Sequence, residues 1–251
     1  MRIAKFSSIA GVMLCLLALA VPVQADTFVK QVDNTDAVEM MGQKQPARSD
    51  TSTAWYTEDK ACMISARGNA VVYRADKGVM YMIDHNKKTY AEVPLTWLSD
   101  AVEEAKEDPE TSQGMGAMGG MMKFEVKVTP TEETKKVRDW EATKYIVEVD
   151  MGVGKMTTNT WATSEVDIDG SAFTAMNSAQ MAIFEDFGEG MEEMEKIEGV
   201  PVLSNTEMMM MGTSMTSNYE VIELEEKEAP EGIYEIPEGY EKTDLPNPMD
   251  R

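Results

Sequence analysis

The sequence predicts a mainly β fold of the α+β class, in which two amphipathic helices lie across the concave face of one large curved antiparallel sheet. Three observations support this prediction. Short β-prone runs separated by polar turns fill residues 71–93. Alternating apolar and polar residues recur in the second half of the chain. Two further segments have helical spacing and one apolar face each, and such faces are normally buried against a neighbouring layer.

The first half of the chain is predicted to form successive local strand pairs. The predicted strands cover 27–38, 51–57, 61–66 and three runs within 71–93. Polar turns at 58–60, 76–78 and 85–88 separate them, and Gly78 is free to adopt a positive φ angle. Hairpins of this length build an antiparallel sheet from neighbouring segments.

A first helix is predicted at 94–106. Leu95, Leu98, Val102 and Ala105 recur at helical spacing, and Pro94 suits the first turn of a helix. The following residues, 108–122, are rich in Gly and Met without a sustained period, and are predicted to form a mobile loop.

The second half repeats the plan of strands, helix and strands. Further strands are predicted at 123–129, 140–150, 155–164, 200–211 and 214–226, and 234–240 closes the chain. A second helix is predicted at 172–197, where Gly188 and Gly190 weaken the middle. Its apolar stripe contains Phe173, Met176, Ile183, Phe187, Met191 and Met194.

The N-terminus has the pattern of a cleaved secretory signal peptide. Arg2 and Lys5 precede an apolar run at 9–21, which is too short to span a bilayer comfortably and is followed at once by polar sequence. We therefore expect a signal peptide at 1–25, a single domain at 26–251 that is not integral to the membrane, and a periplasmic location.

The chain is strongly acidic. It carries 45 Asp and Glu against 23 Lys and Arg, a formal net charge of −22, and loss of Arg2 and Lys5 would make this −24. Such a surface repels nucleic acid, anionic lipid and other copies of itself, so we expect no nucleic-acid partner and a monomer. Beyond residue 25 the sequence has a single cysteine, Cys62, which lies in a strand-like run and is expected to be a buried small hydrophobe.

Four short motifs resemble a known family. They are Tyr81–Glu92, Trp161-Ala162-Thr163, Gly199-Val200-Pro201-Val202 and Ile236–Tyr240. In this order they are similar to the secreted bacterial family called domain of unknown function 4412. That family is similar to the lipoprotein carrier (LolA/LolB-like) superfamily. The resemblance implies an open half-barrel with helices as a lid over an apolar cavity. It also implies a periplasmic binder of a lipid or another hydrophobic ligand.

Methionine is the residue type in excess, with 23 copies and clusters at 114–122 and 207–215. Flexible, polarizable thioethers suit the wall of an adaptable binding cavity, although they also fill ordinary cores. The predicted cavity residues are Leu98, Val102, Phe173, Met176, Ile183, Phe184 and Phe187 from the helices, with Met208 and Met209 from the sheet. A second interpretation is a Cu(I) site, because soft thioethers select this ion. Its predicted ligands are Met115, Met118, Met121 and Met122.

No motif in the sequence indicates catalysis. His85, the single histidine, falls in a predicted hairpin turn and is expected to be exposed to solvent. The nucleophile elbow, P-loop, dinucleotide fingerprint and zinc-protease motifs are all missing from the sequence. We therefore predict a non-catalytic binding protein without a cofactor. The alternative is a structural or interaction protein of the envelope with a filled core and no small ligand.

Overall fold

The computed structural model describes residues 26–40, 43–97, 125–152, 154–166, 187–210 and 212–244. These residues form fourteen strands and one α-helix of eight residues. The strands are β1 (Asp26–Thr35), β2 (Val38–Met40), β3 (Gln43–Gln45), β4 (Arg48–Tyr56), β5 (Lys60–Ser65), β6 (Asn69–Arg74), β7 (Val79–Asp84), β8 (Thr89–Pro94), β9 (Glu125–Val137), β10 (Trp140–Asp150), β11 (Gly154–Thr163), β12 (Val200–Met210), β13 (Thr213–Lys227) and β14 (Glu241–Lys242). The helix, α1, covers Phe187–Met194.

Twelve strands form one open sheet in the order β14-β8-β7-β6-β5-β4-β1-β13-β12-β11-β10-β9. Every neighbouring pair is antiparallel except β14 with β8. Strand β1 lies in the middle, where it pairs with β4 on one side and with β13 on the other. It therefore joins the local hairpins of the first half to the long strands of the second half.

The predicted hairpins of the first half are confirmed. Strands β4 to β8 pair in sequence order through short connections. Gly78 ends a 3-10 turn with a φ angle of 66°, in the left-handed region that glycine adopts without a Cβ penalty. In the next turn the Asp84 carboxylate accepts hydrogen bonds from the backbone N–H groups of Asn86 and Lys87, each at 3.0 Å. These local contacts account for the strand pairing between 69 and 94.

The buried apolar residues form three clusters within the sheet. The first lies on the face of Tyr56, Ala61 and Tyr73, and it extends to Trp161 and Val202. The second belongs to β9–β11 and contains Val128, Tyr145, Val147, Val149 and Ala162. The third occupies the opposite face of β5–β7 and contains Cys62, Ala70, Val72, Tyr81 and Ile83. Both faces of β5 and β6 are therefore covered.

The prediction of two amphipathic helices is not supported by the described residues. Pro94 ends β8 opposite Val79, so the first predicted helix does not begin at this residue. Its missing N–H is tolerated because β14 pairs only with Thr89 and Tyr90, which leaves the outer edge beyond them without a strand partner in the described chain. Residues 98–124 and 167–186, which hold most of both predicted helices and the loop at 108–122, lie outside the described residues. So does the predicted signal peptide at 1–25.

Helix α1 is the described part of the second predicted helix, and it packs on the edge strand β9. The carboxylate of Glu193 accepts a hydrogen bond of 2.9 Å from the backbone N–H of Val128. That bond, together with one from Lys196, lowers the pKa of Glu193. Covering an edge strand in this way blocks its pairing with another chain.

Candidate ligand-binding site

The last described part of the chain crosses one face of β5–β8. We call residues 229–243 the C-terminal strap. At its start the N–H of Ala229 donates to Asp26 Oδ2 at 3.1 Å, and at its end the N–H of Thr243 donates to Tyr90 O at 2.8 Å. Between these anchors its apolar side chains pack on the third cluster: Ile233, Tyr234, Ile236 and Tyr240. The strap is therefore a second layer over this part of the sheet.

Arg74 fastens the middle of the strap. Arg74 is 5% exposed, and its guanidinium binds both carboxylate oxygens of Asp76 at 2.7 Å. The same group donates to the carbonyl of Tyr234 at 3.0 Å and to the carboxylate of Glu235. The Arg74 hydrogen bond lowers the pKa of Asp76 to about 2, and it also lowers the pKa of Glu235. A buried charge with three partners in fixed geometry holds the strap in one position.

A half-open cavity of about 400 Å³ lies between the strap and the sheet. Its floor is apolar and comes from β5, β6 and β7: Cys62, Ile64, Ala70, Val72 and Ile83. The roof is also apolar and contains Ile233, Ile236 and Pro237. Polar side chains line the remainder, namely His85, Glu231, Glu235 and Glu238. This volume is within the range of small-molecule sites, and an apolar interior with a polar rim is their usual composition.

The thiol of Cys62, on the cavity floor, is not activated as a nucleophile. Cys62 is 1% exposed, and burial raises the pKa of its thiol to about 12, so it is protonated at neutral pH. The expectation that Cys62 is a buried small hydrophobe is confirmed. A thiol in this state is a weak nucleophile, which suits a binding surface rather than a catalytic one.

One buried polar atom of the strap is unsatisfied. The Tyr234 hydroxyl has no hydrogen-bond partner among the residues that the structure describes. Burial raises the pKa of Tyr234, so the hydroxyl stays neutral and keeps its proton to donate. Orphaned buried groups are rare in folded proteins and cost free energy, so this hydroxyl is an unfavourable feature within the strap.

His85 differs from its prediction. It was expected to be exposed in a turn, but it is half-buried and its Nδ1 lies 2.9 Å from the Tyr240 hydroxyl, with the two rings edge-on. Sequence reasoning missed this contact because Tyr240 is 155 positions further along the chain. It missed the strap for a related reason, since residues 229–243 have no helical or strand period.

The predicted cavity residues fall in different places. Met208 is half-buried on β12, whereas Met209 is 59% exposed on the opposite face. Phe187 is the first residue of α1. The other predicted cavity residues lie outside the described residues: Leu98, Val102, Phe173, Met176, Ile183 and Phe184. The predicted copper ligands Met115, Met118, Met121 and Met122 do so as well.

The described residues hold neither a metal-binding cluster of this kind nor a membrane-spanning helix. They contain no group of three or more His, Cys, Asp or Glu side chains arranged to hold a metal ion. No helix in the same part of the chain is long and apolar enough to cross a membrane.

Comparison with known proteins gives little guidance. No protein-family model and no curated protein matches the chain. The solved structure of PNGF-II in a C2 space group aligns with 88% of this chain at 12% identity and a TM-score of 0.36. The chain spans only 31% of that structure's chain. A likeness this weak supports neither a fold family nor an activity.

Proposed function

We propose that this protein is a non-catalytic binder of an apolar ligand, such as a lipid acyl chain. The observation that carries the proposal is the cavity of about 400 Å³ between the C-terminal strap and the sheet. An apolar ligand there would replace water against the side chains of Ile64, Ala70 and Ile236. Removing apolar surface from water stabilises the complex by about 25 cal/mol per Å².

The protonated thiol and the single histidine support a binding role over a catalytic one. Cys62 is not activated, and His85 is engaged with Tyr240. The proposal includes the finer expectations from the sequence: export by a signal peptide at 1–25, a periplasmic location, and a half-barrel of the lipoprotein carrier type with two helices as a lid.

The site can be tested with a fluorescent apolar probe, N-phenylnaphthylamine. We expect Ala70→Phe to reduce probe binding at least tenfold, because Ala70 is 3% exposed and the ring would fill the cavity from its floor. Ile236→Gln should have a similar effect through the roof, since it buries an amide without a partner. Fluorescence titration measures both.

The matched control for Ala70→Phe is Val71→Leu. Val71 is the next residue of β6, so its side chain points to the opposite face of the strand. This variant should bind the probe like the wild type.

Phe184→Asp distinguishes a ligand site in the strap cavity from a ligand site between the sheet and the helices, which the sequence predicted. Loss of binding in Phe184→Asp with full binding in Ala70→Phe would contradict the strap cavity as the site. Equal binding by all folded variants would favour the envelope interaction protein without a small ligand.

A further inference from the structure

We propose that four methionines on one face of β11–β13 form a binding site for a soft monovalent metal ion, Cu(I) or its redox-inert analogue Ag(I). The ligands are Met156, Met208, Met210 and Met215. They lie on β11–β13 rather than in the 108–122 loop where the sequence predicted copper ligands, and the site does not depend on binding of an apolar molecule.

The strand register brings these side chains together. Met208 is the direct cross-strand partner of Met156 on one side and of Met215 on the other. Direct partners have Cβ atoms about 4.5–5.5 Å apart and point to the same face. Met210 is two residues beyond Met208 and therefore shares that face. Three adjacent strands thus present four thioethers in one patch.

A glycine lies opposite Met210 in the neighbouring strand. Its partner on β11 is Gly154, which has no side chain to occupy the neighbouring position. A Cβ atom at Gly154 would lie 2.7 Å from the carbonyl oxygen of Met209, so the backbones approach too closely there for any other residue. The three rotatable bonds of the unbranched Met210 side chain allow its sulfur to turn toward Met208 and Met156.

The burial of the patch suits a site that exchanges ions with solvent. All four methionines are half-buried. Met209 lies between Met208 and Met210 in sequence but on the other face, where it is 59% exposed beside Lys155 and Ser214. A half-buried side chain can be reached by an ion from solvent, and Met156 also packs against the second cluster. Met209 supplies a natural control on the same strand.

The ligand set selects the ion. Thioether sulfur is neutral and soft, so it favours Cu(I) over Mg²⁺, Ca²⁺ or Zn²⁺. It has no proton to lose in the neutral range, so binding should change little between pH 5 and pH 8. The formal net charge of −22 raises the local concentration of any cation around the protein.

The test is titration of the full chain with Ag(I), and with Cu(I) under anaerobic reducing conditions, in competition with a chromophoric chelator. The triple variant Met156→Leu, Met208→Leu, Met215→Leu should lose one equivalent of bound ion or bind it at least 100-fold more weakly. Leucine is close to methionine in volume, which keeps the packing. Met209→Leu should bind like the wild type. In the wild type, the methyl resonances of Met156, Met208 and Met215 should shift with the first equivalent of Ag(I).

A third variant assigns any remaining ion. Replacing Met115, Met118, Met121 and Met122 by Ser should leave the first equivalent unchanged. The proposal is overturned if the triple variant keeps full stoichiometry and affinity, if the loop variant alone loses the ion, or if the wild type binds none. Should the triple variant fail to fold, the single variant Met208→Leu replaces it. In that variant the methyl resonances of Met156 and Met215 should no longer shift with the first equivalent of Ag(I), and unchanged shifts would overturn the proposal.

Discussion

At the scale of single residues, Arg74 is the charge on which the strap depends. It is almost fully buried and it pairs with a carboxylate of its own hairpin and with one from the strap. Breaking a buried pair costs more than the pair contributes, because the remaining charge stays desolvated. The pairing of Arg74 with Asp76 is local and could be read from sequence as a turn feature. Its pairing with Glu235 spans 161 positions and could not.

The Arg74–Asp76 pair should make stability depend on acid pH. The pKa of Asp76 falls from an ordinary value of 3.8 to about 2 in the folded protein. A depressed carboxylate pKa contributes stability above pH 3.8, and this contribution is lost as pH falls toward 2. Asp76→Asn should therefore be less stable than the wild type at pH 6, and the difference should narrow between pH 4 and pH 2. Thermal unfolding across this range measures the effect. Asp139→Asn, at an exposed turn elsewhere in the sheet, is the control for removing one carboxylate.

Gly199 is required by backbone geometry. Its φ angle is +87°, and a Cβ atom would lie 2.1 Å from the carbonyl oxygen of Thr163. Gly199→Ala should lower the free energy of unfolding by at least about 2 kcal/mol, from left-handed strain plus the displaced β11 backbone. Gly78→Ala has a similar positive φ angle but open space around it, and should cost only about 1 kcal/mol. Urea unfolding measures both losses of free energy. Equal losses in Gly199→Ala and Gly78→Ala would show that the contact with Thr163 does not contribute.

At the scale of elements, the C-terminal strap has little regular structure, yet it forms the roof of the proposed binding cavity. It adds only β14, of two residues, to the sheet, so its position depends on Arg74, on apolar contacts and on a few backbone hydrogen bonds. A segment held by few contacts opens at lower free energy than the sheet beneath it. Opening of the strap would widen access to the cavity between it and the sheet.

The reactivity of Cys62 reports on strap opening. In the wild type the buried, protonated thiol should react with Ellman's reagent only when the strap lifts. Arg74→Met removes the hydrogen bonds to Tyr234 and Glu235 and should raise the reaction rate at least tenfold. Arg67→Met breaks an exposed ion pair with Asp50 and is the matched control.

The rate in denaturant separates local from global opening. If the strap lifts locally, the rate for Arg74→Met should depend weakly on urea, because little surface is exposed. A rate that follows the urea dependence of global unfolding would mean that Arg74 stabilises the whole domain rather than the strap.

At the scale of the whole molecule, the sheet was predictable where its pairings are local. The hairpins of β4–β8 and the β10–β11 and β12–β13 pairs follow from alternation and turn residues. The pairing of Asp26 with Lys227, and of β14 with β8, joins distant parts of the chain and left no local signal. Pro94, expected to begin a helix, is instead the last residue of β8, whose outer edge accepts proline.

The candidate site was less predictable than the sheet. The apolar floor residues were visible as strand residues, but nothing in the sequence indicated that Ile233 and Ile236 would cover them. Predictions for the two helices concern residues that the structure does not describe, and they stay predictions. Met208, predicted from the sequence as a cavity residue, is half-buried and lies in the methionine patch of β11–β13.

The most direct test of the central claim is native mass spectrometry of the protein purified without detergent from its own source, alongside the Ala70→Phe variant. An apolar ligand in the strap cavity predicts a stoichiometric organic adduct on the wild type that is lost from the folded variant. An adduct of equal occupancy on both proteins, or none on a wild type that also fails to take up added fatty acid, would contradict the claim.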